Sequence, residues 1–152
     1  MFVAALLLCT AATATQAASD DRVTAKAVLN IAKQLVEAID DLNQLRHGKE
    51  GTDEFGYVEE LITIGAEASD WSGFVGELLF LKSVMRDRAD AEAVNGSLRN
   101  YVTQLNQQSD LWIRQVNESL RVIKSPAAIS RGEYIRERIR ELQRITASRS
   151  SH

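Results

Sequence analysis

The stretch DAEAVNGSLRNYVTQLNQQSDLWIRQVNESLRVIK, residues 90–124, decides the fold class of this chain. Side chains suited to packing against a second helix recur in it at alternating steps of four and three: Val94, Leu98, Tyr101, Leu105, Gln108 and Trp112. The mean step of 3.5 residues is the repeat of helices that wind around each other with a left-handed twist. One uninterrupted helix over these residues would be about 52 Å long. The stripe suits packing within one chain and a homo-oligomer equally well.

Helical spacing continues on the N-terminal side of this stretch. Between residues 20 and 46 the apolar side chains fall on one face of a helix: Val28, Ile31, Leu35, Ala38, Ile39, Leu42 and Leu45. We expect this helix to begin at Ser19 or Asp20, either of which can cap it, and to end at Arg46. Glycines at 48 and 51 predict a connection, and Asp53 is expected to cap the next helix.

The segment from Glu54 to Met85 carries a long apolar run. The sequence SDWSG at 69–73 is expected to break or kink it, because Ser and Asp compete for backbone hydrogen bonds and Gly weakens a helix by about 1 kcal/mol. Residues 78–81 are apolar on every side. We therefore expect this helix to be central and buried over most of its circumference.

Cap signals define the remaining helices. Asp90 is expected to begin the long helix and Ser125-Pro126 to end it, while Ser130 and Glu133 form a capping box that starts a last helix. Long helices joined by short connections predict an all-α protein. We expect an antiparallel bundle of four to five helices, long and coiled-coil-like in part, forming one domain over residues 19–152.

The N-terminal segment MFVAALLLCTAATATQAA, residues 1–18, contains no charged side chain. An apolar run of this length followed by small residues is typical of a cleavable secretory signal peptide, with cleavage between Ala14 and Ala18. The alternative is an uncleaved anchoring N-terminus, because the usual Lys or Arg before the apolar run is missing. Cleavage would remove Cys9 and leave a mature protein without cysteine. A bacterial periplasmic or secreted location fits that composition.

Composition narrows the class of function. One cysteine excludes a disulfide framework, and two histidines exclude any site that needs three. The formal net charge of -3 argues against a nucleic-acid-binding domain. The sequence contains no nucleophile elbow, P-loop or dinucleotide fingerprint. We therefore expect no catalytic residue, no metal and no cofactor, and a protein that is not an enzyme.

Charge is sorted along the chain. Residues 50–95 hold eleven acidic side chains against three basic ones, whereas residues 127–152 hold six arginines against three glutamates. Either the two segments lie side by side and neutralise each other, or they form a surface of two signs that orients a partner. Arginine favours bidentate contacts with carboxylates and phosphates. The candidate partner-binding residues are Arg136, Arg140, Arg144, Glu59, Glu60 and Asp70.

Aromatic side chains crowd between residues 55 and 80, among small residues such as glycine, alanine and serine. They predict either dense packing around a kink or an apolar pocket lined by Trp71, Phe74 and Tyr57. Trp112 lies on the stripe of its own helix and is expected in the core.

These patterns favour a non-catalytic exported protein, periplasmic or secreted, that serves as a protein-interaction or assembly component of a bacterial cell envelope. Its expected partner is another envelope or secreted protein rather than nucleic acid, and no membrane-spanning segment is expected in the mature chain. One alternative is a sensor or carrier of a small apolar ligand, with its pocket near Trp71. A further alternative is an inhibitor or immunity-type protein whose surface acids enter a partner's basic cleft.

Overall fold

Four long helices make up the part of the chain that the structure describes. The structure, a computed structural model, describes the backbone of residues 2–150 and the side chains of residues 17–87 and 89–147. The helices are α1 (Phe2–Arg46), α2 (Phe55–Val84), α3 (Arg88–Val122) and α4 (Pro126–Ser150). These residues include no strand, which confirms the all-α prediction with four helices rather than five.

The helices alternate in direction around a bundle. Both α1 and α3 pack against α2 and α4, and α2 and α4 also meet across the diagonal. Contacts run in opposite directions along α1 and α2: Lys82 lies beside Asp21, whereas Glu59 lies beside Arg46. The result is an antiparallel up-and-down bundle. Its α1–α2 and α3–α4 connections lie at one end, and its α2–α3 connection lies at the other.

One apolar core receives side chains from all four helices. Its largest fully buried members are Trp112, Ile31, Leu35, Leu42, Leu61, Leu79, Leu105, Ile135, Ile139 and Leu142. Trp112 is 2% exposed, which confirms its expected place in the core. The buried row of α3 keeps the 3.5-residue repeat but consists of Leu98, Val102, Leu105, Ser109, Trp112, Val116, Ser119 and Ile123. Of the predicted stripe, Tyr101 is half-buried and Gln108 is exposed.

Two polar rungs join α2 to α3 beside this core. Ser119 donates its hydroxyl to Glu60 Oε2 at 2.6 Å, and Trp112 donates its indole N–H to Glu67 Oε2 at 2.9 Å. The two rungs are seven residues apart on both helices. Because Ser119 and Trp112 are 0% and 2% exposed, these bonds avoid the desolvation penalty that an unpaired buried donor would cost.

The predicted helix starts need correction. Helix α1 runs through Ser19 and Asp20 instead of beginning there. The residue before α2 is Glu54, which makes no side-chain capping bond, so Asp53 is not the cap.

The starts of the last two helices also differ from the prediction. The cap of α3 is Asp87, whose carboxylate accepts from the backbone N–H groups of Ala89 and Asp90, and Asp90 itself lies in the first turn. Helix α4 begins at Pro126, four residues before the predicted Ser130. Proline suits a first helical position because its missing N–H would have no partner there.

The expected break in α2 does not occur. The hydroxyl of Ser72 donates to the Ala68 carbonyl of its own helix at 2.5 Å, and Ser69 donates to the Ala32 carbonyl of α1 at 3.1 Å. These side chains therefore bond carbonyl oxygens without interrupting the helix. The small residues have a packing role instead, since a Cβ on Gly76 would lie 2.7 Å from Leu29 Cγ. Close approach of α1 and α2 requires a glycine there.

The carboxylate of Glu54 clamps the two connections at one end of the bundle. It accepts from Lys49 Nζ at 2.9 Å and from the backbone N–H of Lys124 at 2.9 Å. The bond from Lys49, and then the N–H of Lys124, hold the pKa of Glu54 below its ordinary value of 4.5. Ionised Glu54 thus ties the α1–α2 loop to the α3–α4 connection.

Among residues 17–87 and 89–147, whose side chains the structure describes, no helix is both long and apolar enough to cross a bilayer. Most of the expected signal peptide, residues 1–18, lies outside the residues whose side chains the structure describes. Its cleavage therefore stays a prediction.

Candidate functional site

The candidate arginines of α4 differ in how far the bundle engages them. Arg136 is half-buried, and its Nη1 donates to Asn117 Oδ1 of α3 at 2.9 Å. Arg140 is exposed and pairs with Glu137 of its own helix at 2.6 Å. Arg144 is exposed. Arg140 and Arg144 are therefore the two of this set that a partner can reach freely.

The candidate acids on α2 are also engaged to different degrees. Glu59 pairs with Arg46 at 3.1 Å, and Glu60 accepts the bond from Ser119. Asp70 is exposed and has no hydrogen bond or ion pair with any residue whose side chain the structure describes. Of these three candidate acids, Asp70 alone has an unengaged carboxylate among the described side chains.

The acidic segment and the arginines of α4 do not pair with each other among the described side chains. The arginines bond to α4 itself, to α3 through Arg136, or to α1, where Arg131 reaches Asp41 at 2.8 Å. The reason is topological, because α2 and α4 occupy diagonal positions of the bundle. The acids of α2 and the arginines of α4 therefore lie on helices that are not neighbours around the bundle.

The structure brings together two of the three candidate pocket residues. Trp71 and Phe74 line an open cleft with a volume of about 280 Å³. Asp70 of α2 and Tyr101 of α3 complete its lining. Tyr57 lies fourteen residues before Trp71 on α2, about 21 Å along the helix axis, and takes no part in it. We call this group of Asp70, Trp71, Phe74 and Tyr101 the aromatic cleft.

Tyr101 contacts each of the other two rings of the aromatic cleft at a steep angle. The ring centroids of Phe74 and Tyr101 lie 4.5 Å apart at an interplanar angle of 71°, and those of Trp71 and Tyr101 lie 5.9 Å apart at 59°. Edge-to-face contacts of this kind are favourable for aromatic pairs. They leave the rings as walls of a cleft rather than as a closed stack.

A second feature lies next to the aromatic cleft on α2. Its last three turns expose large apolar side chains, with Phe74 41%, Phe80 54%, Leu81 43% and Val84 42% exposed, and Leu29 of α1 beside them is 37% exposed. We call these five residues the apolar face. Leu29, Phe74, Phe80 and Leu81 also line a common groove of about 350 Å³. The expectation that residues 78–81 are buried on most sides is therefore wrong for Phe80 and Leu81.

Sequence reasoning missed Tyr101 as a member of the cleft. It lies 27 residues beyond Phe74 on another helix, and its place in the apolar stripe of α3 marked it as a packing residue. No sequence signal distinguishes such a half-buried tyrosine from a core one. The apolar face was missed because a run that is apolar on all sides is typical of a buried helix.

Metal-binding geometry does not occur in the described part of the chain. No group of three His, Cys, Asp or Glu side chains there lies close enough to hold an ion. The described side chains of the aromatic cleft and the apolar face are aromatic rings, aliphatic groups and the carboxylate of Asp70.

Comparison of the chain with protein-family models, with curated proteins and with solved structures gives no match. Functional assignment therefore rests on the aromatic cleft and the apolar face.

Proposed function

We propose that this protein is a non-catalytic binding protein of the bacterial cell envelope that docks another envelope or secreted protein on its apolar face. The observation that carries the proposal is the exposure of Phe74, Phe80, Leu81 and Val84 along one end of a single helix. Single exposed apolar side chains are common on protein surfaces, but contiguous groups of them mark interaction sites.

The size of the apolar face is adequate for a weak to moderate interaction. Full burial of a side chain such as Leu or Phe contributes about 1.5–3 kcal/mol, so completing the burial of four half-exposed ones contributes about 3–6 kcal/mol. Phe80, with the largest exposed fraction at 54%, is the side chain with most to gain. Association costs offset part of this, and interfaces concentrate their energy in a few such side chains.

Charge around the apolar face specifies the chemistry of the partner. Asp70 and Glu77 lie on α2 along its border, and neither has an ion pair with a described side chain. A segment that presents a row of apolar side chains flanked by Lys or Arg would complement this surface.

The test compares two leucines of matched exposure, Leu81 on the apolar face at 43% and Leu111 on α3 at 42%. The mature domain, its Leu81→Glu variant and its Leu111→Glu variant each capture proteins from envelope extract. We expect a protein that binds the wild type and Leu111→Glu but not Leu81→Glu, and that is released at about 0.5 M salt because exposed charges are screened there. Equal capture by all three forms would contradict the proposal.

Sedimentation of the purified domain distinguishes a partner from a second copy. If the wild type self-associates with rising concentration and Leu81→Glu does not, then the apolar face is occupied by the protein itself. That result would replace the envelope partner by a homo-oligomer. A concentration-independent monomer leaves the face available for a different protein.

A separate observation favours a second candidate function, the binding of a small ligand as a sensor or carrier. The aromatic cleft has three rings and a volume of about 280 Å³, close to the lower limit of ordinary ligand sites. An inhibitor-type role receives less support, because Glu59 and Glu60 are engaged within the bundle.

A further inference from the structure

We infer that the aromatic cleft binds an alkylated ammonium cation, such as a trimethylammonium group. The inference rests on the second candidate function, because it specifies the ligand of that cleft. The reason for the inference is that three aromatic rings and one unengaged acid line the same cleft. The rings belong to Trp71, Phe74 and Tyr101, and the acid is Asp70.

Aromatic faces attract cations because the ring quadrupole is negative above and below the ring plane. In the cleft, Phe74 is exposed, whereas Trp71 and Tyr101 are half-buried. Tyr101 is inclined at 71° to one neighbour and 59° to the other, so the rings face different directions around the cleft. A compact, weakly hydrated cation can contact several such walls at once, which a planar apolar ligand cannot do.

Asp70 supplies the charge that a neutral ligand would not need. Asp70 is one of the four residues that line the cleft, and its carboxylate has no partner among the described side chains. Lys33 of α1 lines an adjoining groove together with Asp70, and its Nζ pairs with Glu37 at 3.8 Å. Asp70 therefore remains available to a ligand and favours a positive over a neutral or negative one.

The composition of the cleft walls explains why we expect a methylated ammonium group to bind better than a simple one. The exposed lining of the cleft is almost entirely carbon, with Asp70 as its charged member. A simple ammonium would lose water hydrogen bonds there and find one acceptor, whereas methyl groups lose little hydration and pack against the rings.

The experiment titrates the folded domain with choline and with its neutral carbon isostere, 3,3-dimethylbutan-1-ol, at constant ionic strength, followed by ligand-observed NMR. We expect choline to bind with a dissociation constant on the order of 10 mM and the isostere to bind about fivefold more weakly or not at all. Asp70→Asn and Phe74→Leu should each weaken choline binding about two- to fivefold. Tyr57→Leu, which removes an exposed ring elsewhere on α2, should leave it unchanged.

The outcomes separate this inference from the function on which it rests. Equal binding of choline and the isostere would overturn the ammonium inference and keep the cleft as a ligand site. Failure of both ligands to bind below about 100 mM would overturn the inference and remove the main support for the ligand-binding function. Choline binding that is insensitive to both Asp70→Asn and Phe74→Leu would place the cation elsewhere and likewise refute it. Both positions are solvent-exposed, so the variants should fold, which circular dichroism checks.

Discussion

Gly132 of α4 sits where three helices meet, and replacing it by alanine tests the packing of the bundle. A Cβ at this position would lie 2.8 Å from Leu120 Cδ2 of α3 and 2.9 Å from Leu61 Cδ1 of α2. Leu61 is fully buried and Leu120 is half-buried. Both atoms are the ends of leucine side chains, and Leu61 lies in a densely packed core, so at least one of the two side chains must shift to admit the added methyl group.

The magnitude follows from two opposing effects. Alanine is favoured over glycine inside a helix by about 1 kcal/mol, and overpacking a core typically costs about 1–3 kcal/mol. Gly96 of α3 supplies the control, because a Cβ there meets no atom within 4 Å. Since the propensity gain is the same in both variants, the stability difference between Gly96→Ala and Gly132→Ala should equal the packing cost, about 1–3 kcal/mol.

Thermal and urea unfolding of the two variants measure this difference. Gly96→Ala should raise the free energy of unfolding by about 0.5–1 kcal/mol, and Gly132→Ala should leave it unchanged or lower it by up to about 2 kcal/mol. The midpoints should differ by about 2–12 °C in a protein of this size. If Gly132→Ala stabilised the protein as much as Gly96→Ala, the close approach of α2 and α4 at this glycine would be refuted.

Three further predictions concern polar groups. Glu67→Ala should lower the free energy of unfolding by about 1–2 kcal/mol in urea titrations, because it removes the acceptor of a buried indole N–H. The matched exposed variant Glu77→Ala should change it by less than about 0.5 kcal/mol. The lowered pKa of Glu54 means that its ionised form stabilises the fold above its ordinary pKa of 4.5, and that this contribution is lost as the pH falls through the lowered value. Calorimetric scans on acidification should show a smaller drop in Tm for Glu54→Gln than for the wild type, and equal drops would contradict the clamp. Arg136→Glu should destabilise the domain by about 1–3 kcal/mol, because this side chain is 23% exposed and bonded to α3, whereas Arg140→Glu, at 43%, should cost less than about 1 kcal/mol. Similar losses for the two reversals in chemical denaturation would show that α4 presents both arginines equally to solvent.

The sequence was sufficient for the fold class because helical periodicity extends over almost the whole chain. It was less reliable at helix ends, where several residues compete for the same role. Asp87 and Asp90 are both good caps, and only the geometry shows that Asp87 accepts the two backbone bonds. The capping-box pattern at Ser130 was the stronger sequence signal for the start of α4, but the helix actually begins at Pro126.

The candidate site was predictable only within one helix. Asp70, Trp71 and Phe74 are close in sequence, so their proximity follows from helix geometry alone. Tyr101 joins them through the packing of α3 on α2, which depends on the register of two long helices. The exposure of Phe80 and Leu81 depends on how the other helices pack around that end of α2, and a hydropathy pattern carries no information about neighbours.

The spacing of the two polar rungs has a consequence for how the chain finds one arrangement. A repeat of seven residues permits α3 to slide along α2 by one full repeat while keeping apolar side chains in contact. In one slipped arrangement Glu67 would face Leu105, and in the other Glu60 would face Pro126, beyond the end of α3. Either shift keeps at most one of the two hydrogen bonds. It also leaves one carboxylate beside Leu105 or Pro126, neither of which has a side-chain donor. These two hydrogen bonds therefore select one register of α3 on α2 among the registers that apolar packing alone would allow.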